Sequence, residues 1–222
     1  MKAVRLLEYG GQLAFNDVPT PTIARDEVLV KVRCTAVNHL DLVEASGRLK
    51  QILPIDLPWI PGHEFSGVVE QIGSDVAEYA PGDAVFAANE TGGAYAEYLA
   101  VKAAAIARKP SNLSFEEAAS VPVASQTAWQ GIFTHGRLEK GQTILIHGGA
   151  GAVGAYAVQL ASHAGAPSLP RQAATMRRTS SPSGPAGLSI IETRSSRRFC
   201  ERRSMSSSTW SVASHNSDHF WS

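Results

Sequence analysis

The sequence predicts a β-rich domain, then the first part of an α/β domain, then an irregular or disordered tail. Three observations carry this. Short apolar or alternating runs broken by Gly, Pro and Asp fill residues 1 to about 110, helical spacing of apolar positions begins at Ser114, and all patterning stops near residue 166. The boundaries that follow are 1–112, 113–166 and a Ser/Arg-rich tail, 167–222.

In the first part, "KAVRLLEY", "EVLVKVRCTAV", "FSGVVEQIG", "DAVFAA" and "AYAEYLAV" read as strands, several with the period of two that suits a half-buried sheet. Ser114 stands three residues before Glu117, the spacing of a capping box that opens a helix. Pro122 must break or kink the helical run that follows. "GQTILIHGG" is a short apolar strand, and "AVGAYAVQLASHAGA" is a small-residue helix with Gly165 placed to cap its end. Strand, glycine turn and helix open a βαβ unit, whose second strand should come within a few residues; the sequence does not supply it.

Composition divides at the same place. The chain is formally neutral, with 20 basic and 20 acidic side chains, but residues 1–166 hold 12 basic and 17 acidic groups and residues 167–222 hold 8 arginines, no lysine and 3 acids. Serine rises from 8 in the longer part to 15 in the shorter. Two cysteines, Cys34 and Cys200, do not make a disulfide framework. No signal peptide or membrane-length apolar run is present, so the expectation is a cytoplasmic chain with no membrane partner.

"ILIHGGAGAVG" carries the strongest chemical signal. Gly149, Gly151 and Gly154, with Ala150, Ala152 and Val153 between them, fit G-x-G-x-x-G between a strand and a helix. The first glycine permits the tight turn, the second lets a pyrophosphate approach the backbone, and the third lets helix and strand pack closely. The free N–H groups and partial positive charge of the helix start suit the phosphates. A glycine-rich turn of another α/β protein is the alternative.

"VNHLDLVEASG", "PGHEFSGVV", "GGAYAEYLAV", "SQTAWQGIF" and "HGGAGAVG" together resemble the medium-chain dehydrogenase/reductase superfamily, most closely its zinc-independent quinone oxidoreductase branch, over residues 1 to about 166. The resemblance implies a GroES-like substrate domain followed by a Rossmann domain. It also implies NADPH-dependent reduction of a quinone or other α,β-unsaturated carbonyl, and a homodimer for the intact family member. Zinc-using relatives place a cysteine where this chain has Asn38, an amide that ligates zinc poorly. The clustered cysteines of a structural zinc lobe are also missing after Val85, so the expectation is no metal. His63 then reads as a hydrogen-bonded structural residue, the alternative being a zinc site built from His63, Asp41 and Glu64, as in a zinc-dependent alcohol dehydrogenase relative.

By resemblance, Asn38 and Thr127 line the nicotinamide and substrate cleft, and Asp41 orients the Asn38 loop. The structural alternatives are a turn residue for Asn38 and a hydroxyl bonding back one helical turn for Thr127. "ASGRLKQ" lacks the tyrosine acid of the superfamily's enoyl reductases. Trp59 is core or loop packing, or a stacking surface for an aromatic substrate. His135 and His147 are read as structural.

The tail suits codons of a GC-rich gene read out of register. Ser204 to Trp210, "SMSSSTW", can be coded so that a shift of one base yields VDVVVDL, a buried strand by composition. The same shift permits VDYRDT from "SIIETR", ATASGNDEEDF from "PRQAATMRRTS", and DLVGGESQ from "TWSVASHN", in the order the superfamily would have them. Met and Trp have single codons, and both fall where the shifted reading needs them. The expectation is a one-base frameshift near codon 166 or 167. The restored "ATASGN" has no acid for a ribose 2′-hydroxyl, which favours NADPH. A basic arm for nucleic acid is the rival reading of the tail; its arginines have no interleaved lysine, and the expectation is no nucleic-acid partner.

Without its neighbouring strands, a Rossmann core leaves several hundred Å² of apolar surface unburied, forgoing on the order of ten kcal/mol at about 25 cal/mol per Å². Whole-domain stability is only about 5–15 kcal/mol. The chain as written is therefore expected to be truncated, poorly soluble and inactive, with a folded N-terminal half that could survive as a non-catalytic binding fragment.

Overall fold

A computed structural model describes residues 1–166 and the backbone of two short strands beyond them, Leu188–Ile190 and Trp210–Ser211. The chain divides into two compact units, Met1–Val123 and Ala124–Ser222.

The first unit is built on five antiparallel strands in the order β6-β3-β4-β5-β7. They are β3 (Glu27–Thr35), β4 (Glu64–Ile72), β5 (Ala84–Ala88), β6 (Tyr98–Lys102) and β7 (Ala107–Arg108). A hairpin of β1 (Lys2–Leu6) and β2 (Leu13–Asp17) joins through bridges from Ala3 to Ala96 and Leu6 to Trp59. β3 and β4 are rich in β-branched residues, and Val28, Val30, Phe65, Val69, Val85 and Val101 close into one buried core. Between β3 and β4, Gly67 is required: a Cβ there would stand 2.6 Å from the Val30 side chain and 3.1 Å from the Lys31 carbonyl carbon. Every strand quoted from the sequence forms; β2 carried no expectation.

The segment "VNHLDLVEASG" is a helix, α1 (His39–Ala45), with Asn38 as its N-cap, where the sequence suggested a loop. The capping box at Ser114 forms as expected. Ser114 N–H donates to Glu117 Oε2 at 2.8 Å and Glu117 N–H to Ser114 Oγ at 3.2 Å, opening α2 (Phe115–Ala119). α2 packs on β3, β4 and β5, and Ser66 Oγ donates to the Phe115 carbonyl at 2.6 Å. The first unit therefore extends to Val123, eleven residues past the expected boundary after 112, because α2 covers its sheet.

α3 (Pro122–Trp129) starts at Pro122, the last residue but one of the first unit, and continues as a π-helical turn, Gln130–His135. Pro122 ends the α2 run and fits the first position of the next helix, where its missing N–H costs nothing. β8 (Ile144–Ile146) leads through the glycine turn into α4 (Ala152–His163). Ile132, Leu138, Ile144, Ala157, Ala161 and Ala166 form the core. α4 ends in a Schellman motif: Gly165 at φ +73° donates to Ser162 O, and Ala166 N–H donates to Ala161 O, both at 3.0 Å.

β8 is followed by β9 (Leu188–Ile190), which pairs with it antiparallel, and β10 (Trp210–Ser211) pairs antiparallel with β9. The βαβ unit opened by the glycine turn is thus not closed by a parallel strand among the described residues. Two short strands do form in the segment expected to be irregular. The rest of 167–222 lies outside the described residues, and with it the shifted-frame segments other than those strands, the basic-arm reading and Cys200.

Candidate active site

Within the first unit, α1 and the entry to β4 carry a buried polar cluster. Asp41, Glu44, His63 and Glu64 are each less than 7% exposed. Asp41 and Glu44 stand three apart on α1, so both face the same side. Asp41 is fully committed. Its Oδ2 accepts from the Asn38 backbone N–H at 2.7 Å and from Tyr95 Oη at 3.1 Å, and its Oδ1 accepts from Gly62 N–H at 3.1 Å. Gly62 sits at φ +102°, and a Cβ there would stand 2.5 Å from the Tyr95 ring. Asp41 thereby ties the Asn38 turn to the strand entry.

Asn38 does more than end a turn. Its Nδ2 donates to Glu64 Oε1 at 2.8 Å, and Glu64 Oε2 accepts from the Val123 N–H at 2.9 Å. Burial raises the Glu64 carboxyl above the usual range; these two donors oppose the shift, and the Asp41 charge adds to it.

His63 Nδ1 lies 3.0 Å from the Asn89 carbonyl and Nε2 lies 2.5 Å from Glu44 Oε2. A carbonyl only accepts, so Nδ1 carries a hydrogen. Nε2 then faces a carboxyl oxygen at a distance that puts one proton between them, shared by the His63–Glu44 pair. Burial pushes the imidazole down, but the Glu44 hydrogen bond and charge, the Asn89 carbonyl and Asp41 outweigh it, so His63 lies above its ordinary value. Trp59 is buried, donates Nε1–H to the Thr91 carbonyl at 3.0 Å, and has its ring 6.0 Å from that of His63, which makes it a packing residue.

These bonds bear on the zinc alternative. His63 Nε2 is 3.9 Å from Asp41 Oδ1, while Glu64 turns to Asn38 and Val123. Among the described residues no three or more His, Cys, Asp or Glu side chains converge on a point that could hold a metal ion. The donor set does not fit zinc.

Tyr95, Glu44 and Asn89 were not anticipated. Tyr95 reaches the Asn38–Asp41 turn from a distant segment. It donates to Asp41, and burial and the Asp41 charge raise its hydroxyl far above the usual range, so it is held protonated. Glu44 could have been found from its i, i+3 relation to Asp41; Tyr95 and Asn89 have no local signal.

In the second unit, the turn glycine with positive φ is Gly148, at +69°, rather than Gly149. Gly151 is the N-cap of α4, and it and Ala152 are exposed. Gly154 is buried: a Cβ would stand 2.7 Å from Gly149 Cα and 2.9 Å from the Gly148 carbonyl carbon, and nearer still to its oxygen. Only glycine allows α4 to approach the turn, as expected of the third glycine. Ala150, Val153 and Gly149 complete the turn and first helical turn, and the exposed N-cap leaves backbone donors open to an anion. The turn fits a dinucleotide pyrophosphate. Thr127 lies on α3.

Residues 24–111 match the Alcohol dehydrogenase GroES-like domain. The chain is 37% identical over 174 residues to the 2-methylene-furan-3-one reductase of Solanum lycopersicum, covering 73% of this chain and 44% of that one. It is 36% identical over 174 residues to the NADPH-dependent alkenal/one oxidoreductase, chloroplastic, of Arabidopsis thaliana, covering 73% and 45%. The structure of the quinone oxidoreductase from Coxiella burnetii superposes with a TM-score of 0.70 at 35% identity, covering 76% and 55%. The chain belongs to the medium-chain dehydrogenase/reductase superfamily, in its quinone oxidoreductase-like branch. It spans about half the length of the relatives it matches. The expected pairing of a GroES-like domain with part of a Rossmann-like fold in this superfamily holds. No helix among the described residues is long and apolar enough to cross a membrane.

Proposed function

We propose that the sequence derives from an NADPH-dependent oxidoreductase that transfers hydride to a quinone or another α,β-unsaturated carbonyl. The observation that carries this is the Gly154 approach: a helix start with open donors, packed so tightly on its turn that no side chain fits. Gly149, Ala150, Gly151, Ala152, Val153 and Gly154 would hold the pyrophosphate, and a bound nicotinamide would supply the hydride. Asn38 would donate to a carbonyl oxygen, Asp41 would hold the Asn38 turn in place, and Thr127 would line the nicotinamide side. The names of the relatives support a carbonyl or quinone substrate and NADPH. The preference for NADPH rests on the frame-restored "ATASGN". Metal-free catalysis, a cytoplasmic location, a homodimer for the intact protein, and the absence of membrane and nucleic-acid partners belong to the same reading.

The 222-residue chain itself is proposed to be inactive through a one-base shift near codon 166. Resequencing codons 160–172 tests the shift, and a stopped-flow assay tests the activity. The chain as written should not oxidise NADPH with a quinone, and the gene with the base restored should. Robust turnover by the 222-residue chain, or none by the restored one, would overturn the reading. A second reading is a non-catalytic interaction fragment, favoured by the five-stranded sheet and buried apolar cluster of Met1–Val123. A soluble 1–123 fragment that captures a protein partner but has no dinucleotide affinity would support it.

A further inference from the structure

Glu64 determines which hydrogen-bonding group Asn38 has left to offer. An asparagine amide has two N–H donors and one carbonyl oxygen, and unconstrained it can turn either end outward. Here Asn38 is the N-cap of α1, and its side chain faces the backbone N–H of Asp41 in a capping-box arrangement without a side-chain cap hydrogen bond, which turns the oxygen end to the helix start. The opposite end, Nδ2, donates one hydrogen to Glu64 Oε1 at 2.8 Å. Glu64 in turn cannot drift, because its second oxygen is fixed by the Val123 N–H at 2.9 Å and the residue is 2% exposed. With the oxygen end turned to the helix start, the group left over is the second Nδ2–H of a half-buried side chain.

We propose that Glu64 is the positioning residue of the site: it locks the Asn38 amide so that Asn38 presents a single N–H donor, and the ligand atom opposite must be an acceptor oxygen, such as a carbonyl. This rests on the reading of Asn38 as a substrate or nicotinamide contact and makes it more specific, since a ligand offering a donor there would find no partner. An Asn38→Asp variant would present only acceptors, two of them against Glu64.

The test uses the full chain labelled with 15N-asparagine, which contains five asparagines, so the side-chain NH2 pairs separate and Asn38 is assigned by its loss in Asn38→Asp. The two Asn38 hydrogens should exchange with solvent at rates differing by about tenfold or more, the slower being the one bonded to a charged acceptor. Glu64→Ala should bring the two rates together, and Glu64→Gln, with one acceptor for two donors, should give a smaller difference than wild type. Equal rates in the wild-type chain would overturn the proposal without requiring any variant to fold. Titration with cyclohex-2-enone is a separate arm. A shift confined to the faster-exchanging hydrogen supports both the lock and the carbonyl reading. Unequal rates with no shift at all leave the lock standing and count against the carbonyl reading.

Discussion

The sheet of the first unit and the strand–turn–helix of the second reach order by different routes. In Met1–Val123 the sheet is joined across long stretches of sequence, with β3 pairing with both β4 and β6. In the second unit, β8, the glycine turn and α4 are contiguous, and their decisive contact spans six residues, from Gly148 to Gly154. Local geometry can therefore be in place while the sheet that should surround it is different: β8 has an antiparallel neighbour where the superfamily's Rossmann domain would add a parallel one. A motif certifies its own turn, and only its non-local partners certify the domain.

The contrast can be broken by mutation. The largest effect should come from Phe65→Ala, which empties the centre of the first core at a fully buried side chain and should cost about 3–5 kcal/mol in urea unfolding. Gly154→Ala should cost less, about 1–3 kcal/mol, because it strains one backbone approach, but it should abolish any saturable NADPH binding measured by fluorescence. A larger loss of stability from Gly154→Ala than from Phe65→Ala would reverse the comparison. Ser114→Ala removes one cap of a five-residue helix and should cost about 1 kcal/mol, read as a small shift in urea midpoint.

The smallest effect is a slope with pH. His63 and Glu64 both titrate above their ordinary values near 6.5 and 4.5, so in each case the fold favours the protonated form. Their contributions are complete below those ordinary values and are lost as pH rises through the raised ones. The urea midpoint of wild type relative to His63→Gln should therefore fall as pH increases above about 6.5. A difference that grows with pH would show that the fold does not favour the protonated form of His63.

Most of the architecture was legible because it is written in short-range signals. Ser114 with Glu117, Pro122 and Gly165 each fix an event within a turn or two of themselves. The polar cluster was legible only in part. Asn38, Asp41, His63, Glu64 and Tyr95 lie in motifs read from the sequence, but nothing local to Tyr95 or Asn89 says which distant side chain each one meets. The helix at His39–Ala45 was hidden by its shortness: seven residues give too few turns for a period to emerge. The turn residue was displaced by one, to Gly148, because either of two adjacent glycines, Gly148 and Gly149, can take the one strained position.

The Schellman motif at Gly165 and Ala166 is made wholly from residues already behind it, donating back to Ser162 and Ala161, with Ala166 tucked into the apolar cluster. During synthesis that helix needs nothing the ribosome has yet to add. Whatever is spliced on at position 167, whether a relative's continuation, a foreign linker or a reporter, inherits a finished end rather than a fraying one, which makes Ala166 the natural seam for building chimaeras from this chain.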